Sequence, residues 1–310
     1  MKKNDLICVF GSRGLVGSAL VRCLKKEGYT NFLLPLRKEL DLLKQQDVFD
    51  YFATNKPQFV FMAAARVGGI HANSTFGADF IYENLTLQNN IFGAAWKNPV
   101  KKLLFLGSSC IYPRDCPQPM KEEYLLSNFL EKTNEPYAVA KIAGLKTAES
   151  FRRQYGCPFY SVMPTNLYGP GDNYHPENSH VIPGLIARMV EAKKKGDPVF
   201  KAWGSGKPRR EFLHSDDMAR ACVYLMNYDG DLPDLVNIGT GVDLTIASLV
   251  QMIKEVVGYK GEIIFDDSKP DGSMKKLLDV GRIKALGWKP EIELHEGIAG
   301  SVRDYLLRIS

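Results

Sequence analysis

The sequence lacks the features that mark secreted, membrane-spanning and metal-binding proteins. Its six cysteines include no CxxC pair and no metal-ligand spacing, which favours a reducing compartment and predicts no metal site. The apolar residues 57–70 are interrupted by Arg66 and fall short of the about 20 residues that a membrane helix needs. The apolar run at residues 6–10 ends at a glycine without a signal-peptide cleavage site. We therefore expect a cytoplasmic protein that does not bind a membrane.

The sequence also has little excess of charge of either sign. Its 40 lysines and arginines against 35 acidic residues give a net charge of +5, spread along the chain. This balance gives little reason to expect a nucleic-acid partner and suits an anionic small molecule equally well. With 45% hydrophobic and 24% charged residues in 310, the composition is that of a globular protein with room for two domains.

Segments typical of strands and helices alternate over the first half of the chain. Apolar runs predict strands at 6–10, 32–36, 58–64, 102–107 and 158–163. Helical periodicity between them predicts helices at 18–26, 45–54, 75–97 and 137–155. Strands that are apolar throughout need helices on both faces, so the pattern predicts an α/β fold with a doubly wound parallel sheet.

The alternation becomes irregular after Gly171, which predicts a second, smaller α/β lobe. We expect residues 1–170 to form a nucleotide-binding domain of the Rossmann type and residues 171–310 to form mainly a substrate-binding lobe. A segment near 205–245 should return to the first domain, with a strand at 235–238. Helices near 245–257 and 294–307 should complete the smaller lobe.

A glycine-rich turn follows the first predicted strand. Gly11, Gly14 and Gly17 recur at intervals of three, between a strand and a helix. Such glycines let the backbone approach a pyrophosphate, which the free N–H groups of the helix then bind. A structural turn is the alternative, but the position in the first βαβ unit favours a dinucleotide. The predicted cofactor residues here are Gly11, Ser12, Arg13, Gly14, Leu15, Val16 and Gly17.

The end of the second predicted strand indicates which dinucleotide binds. NAD-specific sites place an acidic residue there to hold the ribose 2′-hydroxyl. This sequence instead has Leu36, Arg37 and Lys38. Arg37, together with Arg13 from the glycine turn, could bind a 2′-phosphate through planar guanidinium donors. We therefore predict NADP(H) as the cofactor, although two solvated surface cations are the alternative.

Three residues form a candidate for hydride and proton transfer chemistry. Tyr137 and Lys141 are spaced i and i+4 on one face of a predicted helix. A nearby lysine cation favours the phenolate of a tyrosine, whose pKa is otherwise near 10. Ser108 lies at the end of the fourth predicted strand, where open α/β sheets bind ligands. Tyr-x-x-x-Lys alone is a weak motif, and this context strengthens it.

Taken together, the motifs resemble the extended short-chain dehydrogenase/reductase superfamily. Within it they resemble the epimerase-reductases that act on GDP-4-keto-6-deoxy-D-mannose. The resemblance covers nearly the whole chain and rests on the following segments: 11–17, 63–70 (AAARVGGI), 103–113 (LLFLGSSCIYP), 134–144 (NEPYAVAKIAG), 163–169 (MPTNLYG), 178–183 (NSHVIP) and 210–217 (REFLHSDD).

The resemblance implies roles for particular residues. Ser108, Tyr137 and Lys141 would form a catalytic triad for the 4-keto reduction. Residues at the adenosine end would be Arg37, Lys38, Asp41 and Leu42. Those near the nicotinamide would be Leu106, Gly107, Ser108, Ser109, Tyr137, Lys141, Pro164, Thr165, Asn166, Leu167 and His180. It also implies a homodimer, formed through the long helices 75–97 and 137–155.

Cys110 and His180 are the candidates for the acid and base of epimerisation. Cys110 follows Ser108 by two residues, so an extended backbone would point both side chains to one side. A C4 ketone acidifies the protons at C3 and C5 of the sugar, and a thiolate or an imidazole suits their transfer. The resemblance assigns this work to Cys110 and His180. A small buried hydrophobe and an ordinary polar residue are the alternatives.

The second lobe offers cations and an aromatic surface for a nucleotide-sugar. Arg188, Trp203 and Arg210 supply them, and the resemblance adds Asp271 as a fourth substrate contact. Two other functions are compatible with the sequence. A UDP-sugar 4-epimerase would share Ser108, Tyr137 and Lys141 but would have no use for Cys110 and His180. A catalytically silent NADP-binding regulatory protein would lack part of the set.

Overall fold

The structure is a computed structural model, and it describes residues 1–175, 179–268 and 271–309. The main sheet contains six strands, β1 (Ile7–Phe10), β2 (Phe32–Leu33), β3 (Phe59–Met62), β4 (Lys102–Leu106), β5 (Phe159–Pro164) and β9 (Leu235–Ile238), numbered in chain order. They are parallel and lie in the order β2-β1-β3-β4-β5-β9. Every residue of β1, β3 and β9 is buried, as strands covered on both faces require.

Helices cover this sheet in two layers. They are α1 (Leu15–Lys26), α2 (Gln45–Asn55), α3 (Ile70–Thr75), α4 (Gly77–Lys97), α5 (Glu135–Tyr155) and α7 (Ser215–Asn227). Helix α4 packs against α2 and α5, whereas α1 packs against α7. The chain moves outwards from β1 to β2 and then crosses to β3 on the other side of β1. This confirms the doubly wound, Rossmann-type fold, whose ligands bind where the strand order reverses.

The remaining elements form smaller sheets and their helices. The strands are β6 (Asn166–Tyr168), β7 (Val199–Trp203), β8 (Arg209–His214), β10 (Asp243–Thr245), β11 (Glu262–Asp266) and β12 (Lys275–Lys276). The helices are α6 (Val181–Lys195), α8 (Ile246–Val257), α9 (Gly281–Ala285) and α10 (Leu294–Ile309). Strand β8 is central, since β10, β12 and β6 all pair with it, and β11 pairs separately with β7.

Two clusters of buried apolar side chains lie in different parts of the chain. The first fills both sides of the main sheet and includes Leu278 and Trp288 from near the C-terminus. The second gathers residues of α6, α8 and α10, among them Ile186, Leu249 and Ile298. This distribution is the basis on which we propose a division near residue 170, with the segment 205–245 returning to the first unit through residues 213–238, whereas Phe212 and Leu244 pack with the second cluster.

Some predicted boundaries differ from those of the structure for local reasons. Strand β2 ends at Leu33 rather than at residue 36, since Pro35 has no N–H to donate to a neighbouring strand. The helix predicted at 75–97 begins at Gly77 as α4, and a separate short helix, α3, precedes it and ends at Thr75. Helix α5 begins at Glu135, before residue 137, because Pro136 is tolerated in a first helical turn.

Candidate active site

The glycine turn between β1 and α1 has a shape that only glycine permits. Gly11 has φ +80, and a Cβ there would lie 2.8 Å from the backbone nitrogen of Ala64. A Cβ on Gly17 would lie 2.0 Å from the carbonyl oxygen of Gly11. The turn therefore brings backbone close to the start of α1, where N–H groups are free for a phosphate.

A cleft of about 710 Å³ opens beside this turn. It is lined by predicted cofactor residues from the turn and from the loop after β2: Gly11, Ser12, Arg13, Gly14, Arg37, Lys38, Asp41 and Leu42. Leu15, Val16 and Gly17 begin or lie within the first turn of α1, next to the cleft. In the described part of the chain neither Arg13 nor Arg37 makes an ion pair, so both guanidinium groups remain available for a phosphate. Shape and charge fit NADP(H).

The cleft also includes residues that the sequence reasoning did not assign to it. Ala64, Ala65 and Arg66 line it from the end of β3. Arg66 pairs with Asp79 at 3.0 Å and with Glu83 of α4. The sequence could have predicted this lining, because residues 64–66 follow β3, and β3 lies parallel to β1 and ends at the same edge of the sheet.

Tyr137 and Lys141 lie on the first turns of α5, beside the end of β4. The Lys141 ammonium donates a hydrogen bond of 2.8 Å to the carbonyl oxygen of Leu106 and lies 5.8 Å from the Tyr137 ring centroid. Burial lowers the pKa of Lys141 to about 8, and Cys110 opposes this shift. Burial raises the pKa of Tyr137, while a hydrogen bond with Ser108 lowers it. The structure thus brings Ser108, Tyr137 and Lys141 together.

Cys110 joins this group, although the geometry that predicted it was wrong. Residues Ser109–Ile111 form a 3-10 turn and not an extended segment, because the Ser108 hydroxyl accepts a hydrogen bond from the Cys110 N–H. The thiol is nevertheless buried within reach of the charges of Lys141 and Lys276. Burial raises its pKa, and Ser108, Lys276 and Lys141 lower it.

His180 lies at the start of α6, as the residue that precedes Val181. Burial lowers the pKa of its imidazole, although part of the side chain stays exposed. Among the described residues, no hydrogen bond joins His180 to Cys110 or Tyr137. Asn178, which belongs to the same sequence motif, lies outside the described residues.

The predicted nicotinamide residues surround the ends of two adjacent strands. Leu106 ends β4 and pairs with Val162 of β5, so Gly107, Ser109 and Pro164 lie at one sheet edge. The next residues are tied to β8: the Thr165 hydroxyl and the Asn166 amide both donate to the Glu211 carbonyl, at 3.2 and 2.8 Å. Leu167 continues into β6.

The proposed nucleotide-sugar residues lie outside the main sheet, with Arg188 beside Trp203 and Arg210 near enough to Asp271 to act on its charge. The Arg188 guanidinium lies 4.6 Å from the Trp203 ring centroid, and Trp203 is 52% exposed, so its ring can stack on a base. Asp271 accepts two hydrogen bonds of 2.7 Å from Ser205, which lower the pKa of its carboxyl, and Arg210 lowers it further. The neighbouring motif residues Lys269 and Pro270 lie outside the described residues.

The residues that the structure describes include neither a metal-binding cluster nor a membrane-spanning helix. No group of three or more histidine, cysteine, aspartate or glutamate side chains is arranged to hold a metal ion. None of the helices described there is both long enough and apolar enough to cross a bilayer.

The chain is similar to proteins of known family over nearly its whole length. The model of the NAD dependent epimerase/dehydratase family matches residues 7–239. GDP-L-fucose synthase of Escherichia coli (strain K12) is 53% identical over 308 residues, covering 97% of this chain and 96% of that protein. GDP-L-fucose synthase 1 of Arabidopsis thaliana is 52% identical over 307 residues, covering 99% and 95%. A GDP-L-fucose synthetase from Naegleria fowleri bound to NADP superposes with TM-score 0.91 at 29% identity, covering 100% of this chain and 96% of that one.

Proposed function

We propose that a single pocket of this protein performs both epimerisation and reduction, because the chain belongs to the NAD dependent epimerase/dehydratase family and within it to the GDP-L-fucose synthases. It is an NADP-dependent oxidoreductase that also has epimerase activity. GDP-4-keto-6-deoxy-D-mannose is inverted at C3 and C5 and reduced at C4, which gives GDP-L-fucose. The observation that carries the assignment of both steps to one pocket is a buried thiol, Cys110, beside Tyr137 and Lys141.

Epimerisation requires a base and an acid next to the C4 ketone. Cys110 as thiolate removes a proton from the carbon beside the ketone and becomes a neutral thiol, which leaves an enolate on the sugar. Ser108 and Tyr137 hold the enolate oxygen by donating hydrogen bonds. A proton returned to the opposite face inverts the carbon, and His180 at the start of α6 supplies it. One such cycle occurs at C3 and one at C5.

Reduction uses the same hydrogen-bond donors. Bound NADPH supplies the hydride for C4. Tyr137 gives its phenolic proton to the C4 oxygen, and the Lys141 ammonium stabilises the phenolate that forms. Lys141 is held for this by its hydrogen bond to the Leu106 carbonyl. Arg13 and Arg37, which line the cleft beside the glycine turn, would hold the 2′-phosphate of the cofactor.

Substrate binding would use Arg188 with Trp203, and Arg210 with Asp271. We assign the guanine to the exposed Trp203 ring, which Arg188 holds by a cation–π contact, and the diphosphate to Arg188 and Arg210. Asp271 contacts the nucleotide-sugar beside Arg210.

We also propose a homodimer through α4 and α5, where Tyr82 is 67% and Val139 is 38% exposed. A cytoplasmic location agrees with the six free cysteines, all of which the structure describes.

The experiment that tests this function measures NADPH oxidation and the product together. Purified protein should oxidise NADPH only after GDP-4-keto-6-deoxy-D-mannose is added, and NMR should identify GDP-L-fucose. Interconversion of UDP-sugars without net NADPH oxidation would indicate a 4-epimerase instead. NADPH binding with neither activity would indicate a regulatory protein.

A further inference from the structure

Strand β12 carries two adjacent lysines whose surroundings differ. Lys275 faces Asp243, at 3.4 Å, on the side where Arg209 pairs with the same carboxylate at 2.7 Å. Successive side chains of a strand point to opposite faces. Lys276, which pairs in register with Arg210 of β8, therefore lies on the other face, with the proposed substrate residues.

Lys276 is fixed close to the segment that carries Cys110. The Leu277 N–H donates to the Gln118 side chain at 2.9 Å, and the Leu277 carbonyl accepts from the Met120 N–H at 2.7 Å. One buried side chain, Asn237, joins both segments: it accepts from the Tyr112 hydroxyl at 2.6 Å and donates to the Asp279 carbonyl at 3.1 Å. Tyr112 follows Cys110 by two residues, and Asp279 follows Lys276 by three.

Among the residues that the structure describes, the Lys276 ammonium has no partner of opposite charge at ion-pair distance. Within residues 1–175, 179–268 and 271–309 it makes neither an ion pair nor a hydrogen bond. The charged and titratable groups around it are Cys110, Arg210, Glu131 and Cys116. Burial lowers the pKa of Lys276, and Cys110 raises it. A partly buried cation without a paired anion is unfavourable unless an anion forms nearby.

Cys110 is the group that can become that anion. The groups that act on its thiol are Ser108, Lys276 and Lys141. The Lys141 ammonium is already bound to the Leu106 carbonyl and lies beside Tyr137, where reduction needs it. Lys276 therefore supplies a second positive charge, from a different element, at a thiol whose burial otherwise opposes ionisation.

We propose that Lys276 is a positioning residue for epimerisation, and that its ammonium stabilises the thiolate of Cys110. The proposal rests on the proposed function, because it gives that thiolate its use as the base. With Lys276 present, more of the enzyme holds Cys110 ready to accept the proton at C3 or C5. The thiolate becomes a thiol in that step and is regenerated when the proton passes to water.

The first test measures the Cys110 thiol directly, in the full chain without substrate. Iodoacetamide alkylation of Cys110 is followed against pH by peptide mass spectrometry, in a Cys116→Ser background. An opposite charge close by shifts a pKa by about 1–3 units. We expect Lys276→Met to move the midpoint upwards by about one pH unit, a tenfold loss of thiolate at neutral pH. Lys276→Arg and the neighbouring control Lys275→Met should keep the parent midpoint.

The second test measures what the thiolate does. Deuterium exchange into the keto-sugar without NADPH should shift to higher pH in Lys276→Met by the same amount as alkylation. An unchanged alkylation midpoint, with only a raised KM for the GDP-sugar, would overturn the proposal and make Lys276 a diphosphate contact. If Lys276→Met does not fold, Lys276→Gln removes the charge instead. Wild-type exchange in Cys110→Ser would refute Cys110 as base, whereas alkylation would still report on Lys276.

Discussion

Burial disfavours the charged forms of both Tyr137 and Lys141. It raises the pKa of the phenol and lowers the pKa of the ammonium to about 8. Placed next to each other, the two groups offset this cost, because phenolate and ammonium stabilise one another. The reduction should therefore slow as pH rises through about 8, where Lys141 loses its proton.

Tyr137→Phe separates binding from proton transfer. The phenyl ring still packs edge-on against Phe80, 6.2 Å away between centroids, so NADPH affinity should stay nearly unchanged. Without the phenolic proton, steady-state reduction should fall about 10²–10⁴-fold. Tyr155→Phe, at the exposed end of the same helix, is the control. A variant that keeps more than about a tenth of the turnover would mean that another group is the acid.

Arg37→Gln tests the basis of cofactor choice. Because the Arg37 side chain lines the cleft, at the end proposed for the adenosine, and has no ion pair among the described residues, its loss should raise the KM for NADPH about ten- to a hundredfold. The KM for NADH should not change. Arg153→Gln, an exposed arginine of α5, is the matched control. Equal kcat/KM for the two cofactors in the parent enzyme would contradict the proposed role of Arg13 and Arg37.

Residue-level reasoning from sequence worked where spacing alone decides proximity. Tyr137 and Lys141 are neighbours because i and i+4 positions share a helix face. The sequence assigned Cys110 to the site, but it did so from an extended backbone. The backbone turns there instead, because the Ser108 hydroxyl accepts a hydrogen bond from the Cys110 N–H. The position of Lys276 in the site could not be predicted from the sequence, because it depends on the pairing of β12 with β8, which is far away in the sequence.

At the scale of elements, the strands and helices of the first half were predictable in type and order. Each strand is an apolar run, and the helices between them are amphipathic. Their ends were less predictable, since Pro35 ends β2 early and a non-helical residue, Phe76, separates α3 from α4. The short strands β6, β10 and β12 carry no pattern of their own and form only because β8 lies beside them.

The close packing of α4 and α5 gives a prediction about stability. A Cβ on Gly144 of α5 would lie 2.5 Å from the Phe105 ring and 2.7 Å from the Gln88 amide oxygen. Gly144→Ala should therefore lower the free energy of unfolding by about 1–3 kcal/mol, measured by denaturant titration. Gly300→Ala in α10, where a Cβ meets nothing closer than 3.8 Å, should be neutral or stabilising. Equal stability of the two variants would mean that the α4–α5 interface can move apart.

At the scale of the whole molecule, the six-stranded sheet and its reversal next to β1 follow from the strand order. The joining of distant segments did not follow from the sequence. Leu278 and Trp288, predicted with the smaller lobe, pack in the apolar cluster of the main sheet. Glu211, fully buried on β8, accepts hydrogen bonds from the N–H groups of Gly241 and Leu278. Such contacts between distant segments leave no periodic signal in the sequence.

Asp172 predicts how stability depends on pH. It lies near α10, is 7% exposed, and one of its carboxylate oxygens has no hydrogen-bond partner. Burial raises its pKa to about 6, so the ionised group destabilises the folded state above that pH and not below about 4. Asp172→Asn should raise Tm at pH 7.5 by several degrees, and the gain should shrink as pH falls from about 6 towards about 4, where the carboxyl is protonated in both the folded and the unfolded chain. The exposed control Asp267→Asn should have no such effect. A gain that is equal at pH 4.5 and 7.5 would contradict this account.

The measurement that tests the central claim most directly is deuterium exchange into GDP-4-keto-6-deoxy-D-mannose in D₂O, followed by NMR without NADPH. The parent enzyme should incorporate deuterium at both C3 and C5. Cys110→Ser should lose most of this exchange, because a serine hydroxyl is a far weaker base than a thiolate, yet Ser108, Tyr137 and Lys141 remain. With NADPH added, that variant should divert part of the substrate to an uninverted, reduced sugar. Rapid exchange at both carbons in Cys110→Ser, equal to that of the parent, would contradict the claim that one pocket uses this thiol for inversion.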